Sequence, residues 1–382
     1  MLIINAHSDA DLNLNRNIFL ETALGYALSY IAAVASPVIT PAEVTILADN
    51  DYYSTSASFS NDCSKSKPRF QNFRVPISKA HKTGLGSSAA LVTAFTAAVL
   101  THYLSKEDFD ISTDLHKRRL HNLAQAAHCA AQGKVGSGFD VASAVYGSCL
   151  YRRFSPSILL DFAETGATGF ATQLRHVVEE TGKVGRWDTE IRKEAVKVPK
   201  SLRLVMCDVS CGSQTPGMVK KVLAWRKTNP EEANAIWTDL HHANESLAKE
   251  LKAISESGSL GLDRLKQCFV NIRRNIRLMS DRSGVPIEPP AQTELIDACE
   301  KVPGVIGGTV PGAGGYDAIA LLIEDKESTV SDLQQLLSGW KFKSDGGGAD
   351  IGGIVSMLGV REEMEGVRKE DAAAYKEWLI SA

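Results

Sequence analysis

An excess of charge of either sign is missing from this chain. Its 42 Lys and Arg stand against 45 Asp and Glu, a formal net charge of −3 over 382 residues. That balance excludes a global field for nucleic acid or an anionic membrane, and neither partner is expected. Long apolar runs are also missing. The longest, residues 89–100, carries Thr93 and Thr96 and is too short to span a bilayer. The opening MLIINAHSDADLNLNRN is polar and acidic, unlike a signal peptide, and the closing WLISA matches no retention or lipidation signal. Cysteine is sparse and unpaired in pattern. The seven (Cys63, Cys129, Cys149, Cys207, Cys211, Cys268, Cys299) are odd in number and scattered, and no second Cys or His pair completes a zinc site around Cys207 and Cys211. They read as reduced thiols of a soluble, cytoplasmic protein. The Walker A pattern GxxxxGK[ST] is absent, as is any internal repeat.

What is present is ordinary globular material, 44% apolar and 23% charged, enough for a core and two or three domains. The pattern mixes strands and helices without regular βαβ alternation, which predicts an α+β fold. Helices are predicted at 17–33, 87–104, 114–132 (ended by Gly133), 215–228, 231–255, 261–284, 292–301 and 331–338. Strands are predicted at 43–48, 147–154 and 201–209, with a strand pair at 305–310 and 317–323. Residues 49–73 read as a loop or hairpin and 344–353 as a flexible surface loop. A cluster of charges with Pro199 places a domain boundary near 195, giving units 1–195 and 196–382.

Three segments carry possible chemistry. The first is KTGLGSSA, Lys82–Ala89. A helix N-terminus offers unpaired N–H groups and the positive end of a dipole, and Gly84 and Gly86 let an anion approach the backbone. Ser87 and Ser88 fit a plain N-cap as well as a phosphate or Mg²⁺ site, so both readings stand on composition. The second is GKVGSGFDVASAVY, residues 133–146, where Asp140 reads as a helix cap or as a ligand-facing carboxylate. Lys134 reads as a solvated charge. The third is TVPGAGGYD, residues 309–317, where the glycines fit a second backbone cradle or a flexible turn, and Asp317 fits a residue that fixes that turn. IEPPAQT, residues 287–293, fixes an extended loop. His121 and His128 are expected to pack, and His241 and His242 to be exposed.

In combination these segments resemble the GHMP kinase superfamily. GLGSSA (Gly84–Ala89) is similar to its second motif and the Gly-rich stretch Pro311–Gly315 to its third. The order and spacing of KTGLGSSAALVTA, NLAQAAHCAAQGKVGSGFDVASAVYGS, IEPPAQT and PGAGGYDAIA are similar to the eukaryotic phosphomevalonate kinase branch, over roughly residues 17–325. The resemblance implies a two-domain α+β architecture: a ribosomal protein S5 domain 2-like ATP-binding unit and a ferredoxin-like C-terminal unit. It also implies ATP-dependent phosphorylation of (R)-5-phosphomevalonate, in isoprenoid and sterol synthesis. The family pattern opens with strands carrying a PGK-type motif whose Lys faces the transferring phosphates. None precedes Asn17, so the start of the first domain is expected to be missing, and a non-catalytic relative is the second reading.

Site expectations follow from the resemblance. Lys82, Thr83, Gly84, Leu85, Gly86, Ser87, Ser88 and Ala89 would hold the ATP phosphates, with Lys82 also supporting catalysis. Ser88 would ligate Mg²⁺. Ser137, Gly138, Asp140, Gly312, Ala313, Gly314 and Gly315 would meet phosphomevalonate, and Ser213 would give lesser support. Asp140 is expected to position Mg²⁺ or substrate first and to act as a base second, because the phosphate acceptor is already largely ionised at neutral pH. A monomer or weak homodimer is expected.

Overall fold

A computed structural model describes residues 16–53, 70, 83–160, 165–181, 186–210, 217–258, 261–342 and 353–379. Five helices, α1 (Ile18–Val34), α2 (Ser87–Tyr103), α3 (Asp114–Gln132), α4 (Phe139–Tyr146) and α5 (Phe170–Glu179), build the first half around one apolar cluster. α1 starts where predicted because the Asn17 side chain accepts hydrogen bonds from the N–H groups of Phe19 and Leu20. α3 starts at Thr113, whose hydroxyl accepts from His116 N–H, and stops at Gly133 in the left-handed conformation. α2 has apolar or small residues on nearly every side, so Val92, Phe95, Val99 and Leu100 are buried among α1, α3 and α4. A small antiparallel sheet, β1 (Leu150–Arg152) with β2 (Glu190–Arg192), lies beside them.

The second half is a four-stranded antiparallel sheet of β3 (Leu202–Ser210), β4 (Val305–Thr309), β5 (Ala318–Glu324) and β6 (Ile354–Met357). Spatial order is β4-β5-β3-β6. Between β3 and β4 run α6 (Met218–Thr228), α7 (Pro230–Ser257), α8 (Leu262–Ser283) and α9 (Pro290–Cys299), and α10 (Glu327–Ser338) joins β5 to β6. Strand, helices, two strands, helix, strand in that spatial order is the ferredoxin-like split βαβ arrangement implied by the resemblance. Val205, Cys207, Ile319, Leu321 and Ile323 pack on α9 and α10 as one buried cluster. No helix among the described residues is long and apolar enough to cross a membrane.

Two expectations shift. Residues 43–48 form no strand, with only an isolated bridge residue at Val44. Within 49–73, Asn50–Tyr52 form a short 3-10 turn and Asp49 bridges Phe70; residues 54–69 and 71–73, like most of the 344–353 loop, lie outside the described residues.

A feature invisible in the sequence braces the site. Residues 362–367 run as a strap from the sheet to α4. Glu362 Oε2 accepts from Leu204 N–H (3.2 Å), Glu363 C=O accepts from Ser148 N–H (2.7 Å), and Val367 N–H donates to Ala144 C=O (2.9 Å). The strap crosses the end of α4 at Gly366, where an added Cβ would lie 2.5 Å from Gly147 N, with φ at +56°. Gly366→Ala is therefore expected to cost about 2–4 kcal/mol from strain and overpacking. A thermal melt should show a drop of roughly 5 °C or more, and an unchanged midpoint would refute the brace.

His121 of α3 is buried against Tyr146 and Trp187, with its Nδ1 near Asn122 Oδ1 (3.2 Å). Burial pushes its pKa down to about 4, against a smaller opposing pull from Asn122. The unfolded imidazole titrates near 6.5. Between those values the unfolded state binds the extra proton, so acid favours unfolding. Stability is expected to fall as pH drops from about 6.5 to about 4, by on the order of 3 kcal/mol from this group. Urea melts across that window should show a shallower fall in His121→Phe.

Candidate active site

Two helix starts meet at the predicted site. α2 begins at Gly86 and α4 at Gly138, both left-handed, and neither helix has a side-chain cap. The first intrahelical bond of α2 runs from Ala89 N–H to Gly86 C=O (3.0 Å), so the amides of Gly86 to Ser88 precede the ladder. Neither Ser87 nor Ser88 caps the helix, which removes the plain capping alternative. The loop itself is tethered at its entry. Thr83 is buried, its N–H donates to Tyr52 C=O (3.2 Å), and its hydroxyl donates to Asp51 C=O (2.6 Å). Lys82 lies outside the described residues, as does Ser213.

Asp140 does not cap α4 either; that position belongs to Gly138. The carboxylate sits in the first turn, half-buried, beneath the loop. A Cβ built on Gly86 would touch Asp140 Cβ at 3.4 Å, so loop and helix are in contact. Asp140 Oδ1 accepts from Val141 N–H (3.0 Å). Ser137 is exposed and its carbonyl accepts from Tyr151 Oη (2.9 Å), a phenol whose pKa burial raises. Gly138 is obligatory here. Its φ is +84°, and a Cβ would lie 2.5 Å from Gln125 Oε1 and 2.6 Å from Tyr151 Oη. Lys134 is exposed and lines a separate cavity with Tyr26, Cys129 and Leu159.

His128 departs from expectation. It is buried, but it does more than pack. Its Nε2 lies 3.0 Å from Ser88 Oγ, 3.4 Å from Gln132 Nε2 and 4.0 Å from Asp140 Oδ2. Phe19 of α1 lies against the ring at 5.6 Å between centroids. Burial lowers the His128 pKa, and the Asp140 charge opposes that. Gln125, also of α3, is fully buried, and its Oε1 has no partner in the described structure. Gln125, His128 and Gln132 recur at helical spacing in AQAAHCAAQ. Polar side chains on one face of a helix otherwise buried in Ala and Leu were the available signal. Beside Ser88 opens a cavity of about 530 Å³ lined by Asn17, Phe19, Ile46, Tyr53, Leu91 and Phe95.

The third segment is held by different partners. In the loop after β4, Gly312, Gly314 and Gly315 all have positive φ. Gly315 N–H donates to Ile287 C=O (2.8 Å) and Gln292 Nε2 to Tyr316 C=O (2.8 Å). Asp317 C=O accepts from Val209 N–H (2.8 Å). The contacts described for Gly312–Gly315 thus run to the IEPPAQT segment and the sheet, and none of them reaches Ser88 or Asp140. IEPPAQT is itself anchored from below. Glu288 is buried and its Oε1 accepts from Arg273 (2.8 Å), Arg277 (3.1 Å) and Thr293 Oγ1 (3.0 Å).

Comparison with known proteins adds independent findings. A family model described as the GHMP kinases N terminal domain matches residues 62–148, and one described as GHMP kinases C terminal matches 260–339. Phosphomevalonate kinase ERG8 of Gibberella zeae is 51% identical over 370 residues, 96% of this chain and 79% of that protein. Phosphomevalonate kinase erg8 of Aspergillus fumigatus is 48% identical over 369 residues, 95% of this chain and 76% of that protein. The crystal structure of a Lin0012 protein from Listeria innocua has the same fold at a TM-score of 0.58, with 19% identity, covering 92% of this chain and 83% of that one.

Proposed function

This chain belongs to the phosphomevalonate kinase family of the GHMP kinases, and we infer that it transfers the γ-phosphoryl group of ATP to (R)-5-phosphomevalonate, giving (R)-5-diphosphomevalonate and ADP. The observation that carries this reading is the meeting of two uncapped, glycine-started helix N-termini over one carboxylate. Such ends present N–H groups and positive dipole to anions, and the reaction brings polyanions together.

The roles follow from chemistry. Phosphoryl transfer needs alignment and charge neutralisation more than covalent help. The Thr83–Ala89 loop, with Lys82, would hold the ATP phosphates. Ser137, Gly138 and the Gly312–Gly315 loop, with Ala313, would hold the acceptor. Ser88 and Asp140 fit Mg²⁺: a hydroxyl and a carboxylate, both hard oxygen donors, lie within 4.0 Å of the same His128 nitrogen. Mg²⁺ supplies charge neutralisation on the transferring phosphates when bound. Asp140 is held against the loop by its place in the first turn of α4, and it acts on position and charge ahead of proton transfer. We place the boundary between the ATP-binding and C-terminal units at 195/196. The buried clusters support it, since those of the first half draw on residues 20–187 and those of the second on 202–355. The free cysteines among the described residues suit a reducing compartment such as the cytoplasm.

The test is direct. The purified chain, given ATP, Mg²⁺ and phosphomevalonate, should release the diphosphate product. No turnover, together with no shift of its melting point by ATP, would overturn the reading for this chain. Turnover on mevalonate instead of phosphomevalonate would overturn the substrate.

A further inference from the structure

We propose that His128 is a positioning residue for Ser88: its Nε2 takes the Ser88 hydroxyl proton in a hydrogen bond and so turns the oxygen lone pairs of Ser88 toward the loop. The proposal rests on the site reading above and deepens it.

The geometry carries it. Ser88 Oγ and His128 Nε2 are 3.0 Å apart, bringing α2 and α3 together across 40 residues of sequence. The proposed arrangement makes His128 Nε2 the acceptor and the hydroxyl the donor, which matches the amide Nε2 of Gln132 facing the same nitrogen at 3.4 Å. The ring is held by burial and by Phe19 of α1. Asp140 Oδ2, at 4.0 Å, is outside hydrogen-bond reach and stays available to the site.

The consequence is chemical. A hydroxyl whose proton is engaged by an imidazole cannot donate that proton to a phosphate. It offers lone pairs only, the face that a cation requires. His128 therefore decides that Ser88 acts as an oxygen ligand and not as an anion donor, and it holds one rotamer of a side chain that would otherwise rotate. Partners behind a ligand typically change metal affinity or activity by about 10–100-fold when removed.

The test pairs His128→Leu with His128→Gln. Leu fills the space without an acceptor, whereas the Gln carbonyl reaches roughly where Nε2 sits. Expected for Leu is a fall in kcat of about 10–100-fold with a similar rise in the Mg²⁺ concentration for half-maximal rate. The KM for phosphomevalonate and the melting midpoint should stay near the parent's. Gln should recover most of both losses. A second readout needs no turnover. Imidazole ¹⁵N NMR of the whole protein should show His128 with its proton on Nδ1, and Ser88→Ala should shift the Nε2 resonance. A proton on Nε2, no response to Ser88→Ala, or Leu and Gln variants impaired alike with lowered stability would overturn the proposal. If the parent shows no turnover, the kinase reading fails, while the NMR result still decides the His128–Ser88 contact.

Discussion

Asp140→Asn is expected to reduce turnover by about 10²–10³-fold, the range seen when one preorganised electrostatic group is removed from an active site. Stability should barely change. The one hydrogen bond described for its carboxylate comes from the neighbouring Val141 amide, and Asn retains an oxygen to accept it. The variant also separates two roles. A base would be needed to strip a proton from an alcohol, but the acceptor here is a phosphate with a second pKa near 6. Most of it is ionised at neutral pH. Loss of Asp140 should therefore act through position and charge. Raising Mg²⁺ should recover part of the Asp140→Asn deficit, and the pH–rate profile should keep its acidic limb. A profile that loses that limb, with no response to Mg²⁺, would make proton abstraction the main role. Activity within a factor of three of the parent would remove Asp140 from the site altogether.

Arg273→Met should destabilise the second half by about 3 kcal/mol. Arg273 is buried and donates to Glu288 Oε1 (2.8 Å) and Asp297 Oδ1 (2.7 Å), with Glu300 Oε1 at 3.3 Å. Glu288 is buried too, and its Oε2 has no partner in the described structure. Removing one member of a buried ion pair costs about 3–5 kcal/mol because the remaining charge is left in low dielectric. The lower end applies, since Arg277 and Thr293 still reach Glu288. The damage should extend beyond stability. Glu288 follows Ile287, whose carbonyl receives the Gly315 amide, so a displaced Glu288 moves the anchor of the Gly312–Gly315 loop. Chemical denaturation should show the lowered midpoint, and the surviving folded enzyme should show a raised KM for phosphomevalonate. Glu288→Gln, which keeps the shape and some hydrogen bonds, should be milder on both measures. Equal stability of Arg273→Met and parent would show that the network is dispensable.

Much of the fold was legible because local chemistry sets it. Asn17, Thr113 and Gly133 mark helix ends by satisfying backbone groups within a few residues, so α1 and α3 fell where the sequence placed them. Alternation fixed β3, and the Gly-rich turn fixed the β4–β5 pair. Residues 43–48 misled for the opposite reason. Their apolar content suits a strand, but a strand exists only with a partner ladder, and among the described residues Val44 shows a single bridge. Of the two readings of Asp140, the cap fails for a local reason: Asp is a good cap by composition, yet the left-handed glycine two residues earlier already starts the helix.

By itself, the sequence of this protein determined the helix periods, the Gly-rich turn that opens α2, and through its motifs the family. Those properties reside in neighbouring residues, where backbone preference and side-chain type act at short range. Tertiary structure alone decided that His128 meets Ser88, that Arg273 underpins Ile287 and Glu288, and that residues 362–367 brace α4. Each of those contacts joins segments well separated along the chain. Which of many possible partners a buried polar group finds depends on how helices pack, because packing fixes distances to within an ångström and residue spacing alone does not.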